Sequence, residues 1–322
     1  MPEPSTTPRR RRGRLYRCGA AFVVLLAVAG YLVVQYVTGG AGAPGCKVVS
    51  ADGDGAAYEF TPEQAVNAAT IAAVGTGRNL PERAVTIALA TALQESALRN
   101  IDYGDRDSLG LFQQRPSQGW GTEQEVMDPT YSAGIFYDHL VKVDGYTELP
   151  LTVAAQRVQR SGFPDAYAKH EPDAALLAAA LTGHSAATLT CEGRPGTTRV
   201  AGTDAVRTAL ARDFGQDVLE PAGAVVGDGD PTPAASPGAG RDARTLTLPV
   251  TEGSGGLGVT QRGWQLAHWA VANASALRIE KVSYAGREWT AGNTDSQWRA
   301  TETDGAAGAE KNAGPVRIVT AQ

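Results

Sequence analysis

The chain has 322 residues, 43% hydrophobic and 20% charged, which is room for about two domains of ordinary globular make-up. Its net charge of −5 is uneven: residues 1–37 carry six arginines against Glu3, about +5, while the remainder carries 33 acidic and 23 basic residues, about −10. An acidic body excludes nucleic acid as an expected partner, and scattered His139, His170, His184 and His268, without a phosphate loop or nucleophile elbow, give no reason to expect a metal or cofactor.

In chain order, residues 1–17 form a basic tail, expected in the cytoplasm. Cys18 to Val37 is 20 residues without a charge, enough to span a bilayer. The arginines before it obey the positive-inside rule, so a single-pass protein with everything after Thr38 extracytoplasmic is expected. A cleaved signal peptide, with the small residues 39–44 as its cleavage region, is the alternative. Residues 38–59 read as a spacer. Cys46 and Cys191 then lie where disulfides persist. They are expected to pair, closing a long loop worth about 4–5 kcal/mol in the chain-entropy model. A lipid-modified Cys46, or two free thiols, are the other readings.

Thr61-Pro62-Glu63-Gln64 is a helix start, with Thr61 as N-cap and Gln64 reaching back. That helix is expected to reach Val74 and stop at Gly75-Thr76-Gly77. Pro81 opens a second, central helix to about Arg99. From Ala84 to Leu98 it is apolar nearly all round, so it belongs in the middle of a domain. Glu95 sits near its end. Burial and the negative end of the helix dipole both favour its protonated form, which is what a general acid needs. A Glu paired with Arg99, one turn on, is the plainer alternative.

Asn100 to Ser108 is a loop with three acids, Asp102, Asp105 and Asp107, and Leu109 to Pro116 can begin a short helix that Pro116 stops. Further helices are expected from Asp128-Pro129, from Leu149 to Arg160, and from Pro172 to Leu181, with a turn at Asp165 to His170. Residues 60–192 thus carry helix signals and almost no strand signal, which reads as a compact all-α domain. Residues 193–244 hold one helix, Thr203 to Phe214, and a Pro/Gly/Ala linker over 221–241. Residues 245–322, with a strand at Thr245 to Val250, a helix at Gly263 to Leu277 and strands at Ile279 to Trp289 and Val316 to Thr320, read as a small α+β domain.

Gln94-Glu95-Ser96, with Gly110-Leu111-Phe112-Gln113 beginning fifteen positions after Glu95, resembles the lytic transglycosylase and goose-type lysozyme-like family. The resemblance is good over 80–120 and extends by helical plan over 60–185. It implies a lysozyme-like fold for the first domain and action on the MurNAc–GlcNAc bonds of peptidoglycan glycan strands. Glu95 would protonate the leaving oxygen, Ser96 would contact the sugar, and Gln113 and Gln114 would hydrogen-bond the glycan. Most glycosidases need a second carboxylate, and Asp102, Asp105 or Asp107 could supply it. The resemblance implies an alternative in which the substrate's own N-acetyl group and 6-hydroxyl take that part.

The family's Ala-Tyr-Asn-Ala-Gly segment has as its counterpart Ala154-Ala155-Gln156-Arg157-Val158, with Gln156 in place of the amide and Tyr167 as a source of an aromatic ring. This departure keeps a second reading open, a non-catalytic wall-binding or scaffold protein on the same fold. Gly263-Trp264, Trp269, Asn273 and Gly286-Arg287-Glu288-Trp289 resemble a small domain of actinobacterial wall-associated proteins, here without the His-rich ending of its metallopeptidase-like relatives. Trp264, Trp269, Trp289 and Trp298 could be a ligand face or plain core, and the C-terminal domain could take a protein partner.

Overall fold

The computed structural model describes residues 45–193, 202–219, 244–250, 258–292, 297–301 and 314–321. Strands β1 (Cys46–Val49) and β2 (Ala57–Phe60) come first, then helices α1 (Pro62–Gly77) and α2 (Glu82–Ser96). Thr61 and Gln64 close a full capping box on α1. Gly75 does not end that helix. A Cβ there would sit 2.7 Å from the Tyr137 hydroxyl, which donates to Ile71 O at 3.0 Å. The glycine is a notch for a neighbouring helix, not a stop.

Every residue of α2 from Ala84 to Leu93 is buried, as an all-round apolar helix requires. The helix stops at Ser96 rather than Arg99. Ala97 and Leu98 both turn left-handed (φ 53° and 57°), a costly state for residues with a side chain. Two amides from α1 hold them there: Gln64 Nε2 donates to Ala97 O and Asn67 Nδ2 to Leu98 O, each at 2.8 Å.

Next come α3 (Glu123–Val126), α4 (Pro129–Leu140), α5 (Leu151–Gln159), α6 (Glu171–Leu181) and strand β3 (Leu189–Cys191). Asp128 caps α4 by accepting from the Thr130 and Tyr131 amides. The segment at Leu109 to Pro116 is a turn, and Pro116 opens a short 3-10 helix instead of stopping one.

The all-α expectation for the first domain is corrected here. β2, β1 and β3 form an antiparallel sheet in that order, so the fold is mixed helix and sheet. β1 and β2 lie in the stretch read as spacer. β3, at three residues, is too short to display a period, and β1 and β2 offer only four residues each beside a Gly-rich stretch. Their partners come from opposite ends of the helical region: Cys46 faces Phe60 on one side and Cys191 on the other. The Cys46–Cys191 disulfide crosses this sheet.

The chain continues with α7 (Thr203–Phe214), β4 (Thr245–Leu248), α8 (Val259–Ala272), α9 (Ala274–Leu277), β5 (Ile279–Tyr284), β6 (Arg287–Thr290), β7 (Arg299–Ala300) and β8 (Val316–Thr320). The five strands make an antiparallel sheet in the order β4-β8-β5-β6-β7. This half does not stand apart, since the described residues from 45 onward form one compact unit. Indole donors join the halves: Trp289 Nε1 to Cys191 O at 3.0 Å and Trp298 Nε1 to Leu189 O at 2.9 Å. Trp269 Nε1 donates to Asp213 Oδ2 at 2.8 Å, and Thr70 of α1 donates to the same oxygen at 3.3 Å. Trp264, Trp269, Trp289 and Trp298 are all buried, so they build core and present no ligand face.

The expected membrane helix at 18–37 and the linker at 221–241 lie outside the described residues. Among the described residues, no helix is long and apolar enough to cross a membrane.

Candidate functional site

The end of α2 and the Gly110–Gln113 turn are tied together through backbone carbonyls. Ser96 Oγ reaches Leu111 O at 2.8 Å and Ala92 O at 3.1 Å. Gln159 Nε2, from the end of α5, donates to Phe112 O at 2.7 Å. Leu109 and Gln114 exchange both backbone hydrogen bonds at 3.0 Å. Leu111 and Phe112 point into the core, where Phe112 stacks on Phe136 at 4.7 Å. Gly110 is left-handed (φ 75°), and a Cβ there would run into Val126 O. The Gly-Leu-Phe-Gln spacing therefore has a physical cause: it lets one tight turn dock under the last turn of α2.

Beside this joint opens a cavity of about 760 Å³ lined by Glu95, Gln113, Gln114, Trp120 and Gln159, among others. Glu95 is half-buried. Tyr167 Oη donates to Glu95 Oε1 at 2.6 Å. Burial raises the Glu95 pKa, and hydrogen bonds from Tyr167 and Gln159 offset part of that rise. Burial, then the charge of Glu95, pushes the Tyr167 hydroxyl up as well, so it stays a donor. Arg99 turns back on Ser96 O at 3.5 Å and does not seal Glu95.

The other expected site residues fall in different places. Gln113 lines the cavity with a left-handed backbone (φ 48°). Its Nε2 donates to Gly110 O at 3.2 Å and Tyr103 O at 3.4 Å. Gln114 lines the cavity but is only 2% exposed; its Nε2 donates to Ser132 O at 3.0 Å, and its Oε1 is buried without a partner. Ser96 is 5% exposed and serves as the brace just described, not as a cavity wall. Gln156 is also spent elsewhere, donating to Ser161 O at 2.8 Å.

Of the three loop acids, Asp105 lines the cavity and Asp102 does not. Asp107 accepts from Arg115 Nε and from Ser117 N, both at 2.8 Å. The Ser117 side chain, the Arg115 guanidinium and that amide hold its carboxyl well below the usual carboxylate range. It is a loop brace and a poor base.

Several cavity residues were not singled out in the sequence. Gln159 supplies the amide beside Glu95 that Gln156 was expected to supply. Its signal was its place one helical turn after Gln156, eight residues before Tyr167. Trp120 stacks on His139 at 4.4 Å, and Phe163, 75% exposed, stands at the rim. Lys142, Arg157 and Arg160 add positive charge to the lining. They come from loops and helix ends that sequence periodicity does not bring together.

Among the described residues, no group of three His, Cys, Asp or Glu side chains is placed to hold a metal ion. A family profile described as VldE, C-terminal domain, matches residues 251–312. No curated protein matches the chain.

Proposed function

We propose that this protein acts on the glycan strands of peptidoglycan outside the cytoplasm and cleaves the MurNAc–GlcNAc bond, with Glu95 as general acid. The observation that carries the reading is the carboxyl of Glu95 on an open cavity, with its pKa raised by burial and its position set by Tyr167. The Glu-Ser pair with its matched Gly-Leu-Phe-Gln turn supports the lysozyme-like family as the source of this arrangement. The Cys46–Cys191 disulfide supports the extracytoplasmic location.

In this reading Glu95 gives its proton to the glycosidic oxygen as the C1–O bond breaks. The 6-hydroxyl of the same sugar then attacks C1, and its proton returns to the Glu95 carboxylate. The product is an anhydro sugar, and the acid is regenerated. Trp120 and Phe163 offer apolar faces for sugar rings. If a water attacked instead, Asp105 is the loop carboxylate on the cavity that could take its proton.

The test is digestion of purified peptidoglycan by the full-length protein and by Glu95→Gln, followed by mass spectrometry. Anhydro-muropeptides released by wild type, and about 10²–10⁴-fold less by the variant, are the expected result. Reducing ends would mark hydrolysis. Equal, negligible release by both proteins overturns the catalytic reading; glycan binding retained in that case leaves the scaffold reading.

A further inference from the structure

We propose that the Glu95 cavity selects glycan bearing anionic substituents, carboxylate or phosphodiester, through Lys142, Arg157 and Arg160. The inference rests on the glycan reading above for its occupant and adds the chemical class of the substituent.

All three cations line the cavity. Lys142 follows the end of α4, Arg157 is in the last turn of α5, and Arg160 is the left-handed cap of α5. A cation near a helix C-terminus is ordinary, because it complements the dipole. That accounts for each helix end separately. It does not account for two such ends delivering three cations to the cavity that holds Glu95.

Arg115, the fourth cation on the lining, is matched to Asp107, as Arg78 is to Asp138 and Arg83 to Glu171 elsewhere. Among the described residues, none of the other three cavity cations has such a partner. The carboxylates on the lining are Glu95, whose pKa burial raises, and Asp105. The cavity is thus a positive spot on a chain with net charge −5, and it attracts anions from solution. His139 ties two of the cations to one place. Burial lowers its pKa, then the charge of Lys142 does so, Asp138 opposes, and Arg160 adds to the lowering. Its neutral ring stacks on Trp120, so one wall offers an apolar platform beside the cationic groups. Guanidinium forks match carboxylate and phosphate oxygens in pairs. A neutral glycan offers them hydroxyl acceptors but no opposite charge.

The experiment is calorimetric titration of the full-length protein in a Glu95→Gln background, with three glycans of equal length. One is a neutral N-acetylglucosamine oligomer, one carries stem peptides, and one carries a phosphodiester polymer. An anionic glycan should bind about tenfold tighter or more than the neutral one, the equivalent of one charge-assisted hydrogen bond. Which of the two does so identifies the source. Arg157→Gln/Arg160→Gln and Lys142→Gln should erase that preference with Tm unchanged. A structural role for these residues would move Tm and both affinities together. Equal preference in wild type and variants overturns the proposal. If wild type binds no glycan, the glycan reading fails, and inorganic phosphate and acetate then decide the cationic site by NMR of His139. Ring shifts lost in the double arginine variant keep an anion site, and no shifts remove it.

Discussion

The Tyr167 hydroxyl stands 2.6 Å from Glu95 Oε1, and each group moves the other's titration in the opposite direction. The hydrogen bond lowers the Glu95 pKa against the larger effect of burial, while the Glu95 charge raises that of Tyr167. An acid held by donors from Tyr167 and Gln159 has a defined direction, and burial favours its protonated form. Tyr167 comes from the segment before α6, more than seventy residues from Glu95.

Tyr167→Phe removes a donor that stabilises the carboxylate, so the Glu95 pKa should rise further. The basic limb of the kcat/KM profile on peptidoglycan should move to higher pH. The maximal rate should fall by about tenfold, the cost of a lost orienting hydrogen bond. A limb that moves to lower pH would contradict the assigned contact.

Glu95 should also mark the stability curve. Its folded pKa lies above the 4.5 of an ordinary glutamate, so the folded state holds the proton more tightly than the unfolded one. Stability is then fully present below the unfolded pKa and declines as pH rises through the folded pKa. Glu95→Gln removes the buried charge and should raise Tm at neutral pH. Near pH 4 the two proteins should melt together. Calorimetry at the two pH values checks both the sign and the window.

The Cys46–Cys191 bond spans 145 positions and joins directly opposed residues of β1 and β3. Replacing both with serine should cost about 4–5 kcal/mol in the chain-entropy account. Urea unfolding of the variant, and of wild type with reductant, should give the same lowered midpoint. Alkylation without reduction should label neither cysteine.

Asp213 is 3% exposed and accepts from Trp269, Thr70 and Arg212. Asp213→Ala leaves buried donors without partners and should cost about 2–3 kcal/mol. For the same reason a fragment ending at 192 should fail to give a native near-UV circular dichroism spectrum. Without the C-terminal half, Leu189 and Cys191 lose the Trp298 and Trp289 donors and the face of β3 they cover. A cooperative, well-ordered fragment would show that the joint is dispensable.

Much of the helical plan was legible because its signals are local. The capping box at Thr61 and Gln64 acts within one turn, and Asp128-Pro129 opens α4 by the same kind of contact. The all-round apolar run of α2 needs no knowledge of its neighbours to announce burial. The alternation of Val316–Thr320 was readable for the same reason, as five residues suffice to display a period of two. β1, β2 and β3 were not legible. β1 and β2 pair with each other over a short loop, and β3 is a strand only through its pairing with β1 across the whole helical region.

At the site the division is sharper. The sequence by itself determined that Glu95 ends a buried helix and that a Gly-Leu-Phe-Gln turn follows at fixed spacing. Tertiary structure alone decided which groups meet the acid. Gln159 faces it and Gln156 does not, because the packing of α5 against the turn sets which amide points inward. Ser96 became a brace once Leu111 O lay 2.8 Å from its hydroxyl. The C-terminal half became part of the same core once its indoles found carbonyls on β3. Spacing along a chain conveys what lies within a turn or two; the direction of a side chain across a cavity depends on where distant elements are packed.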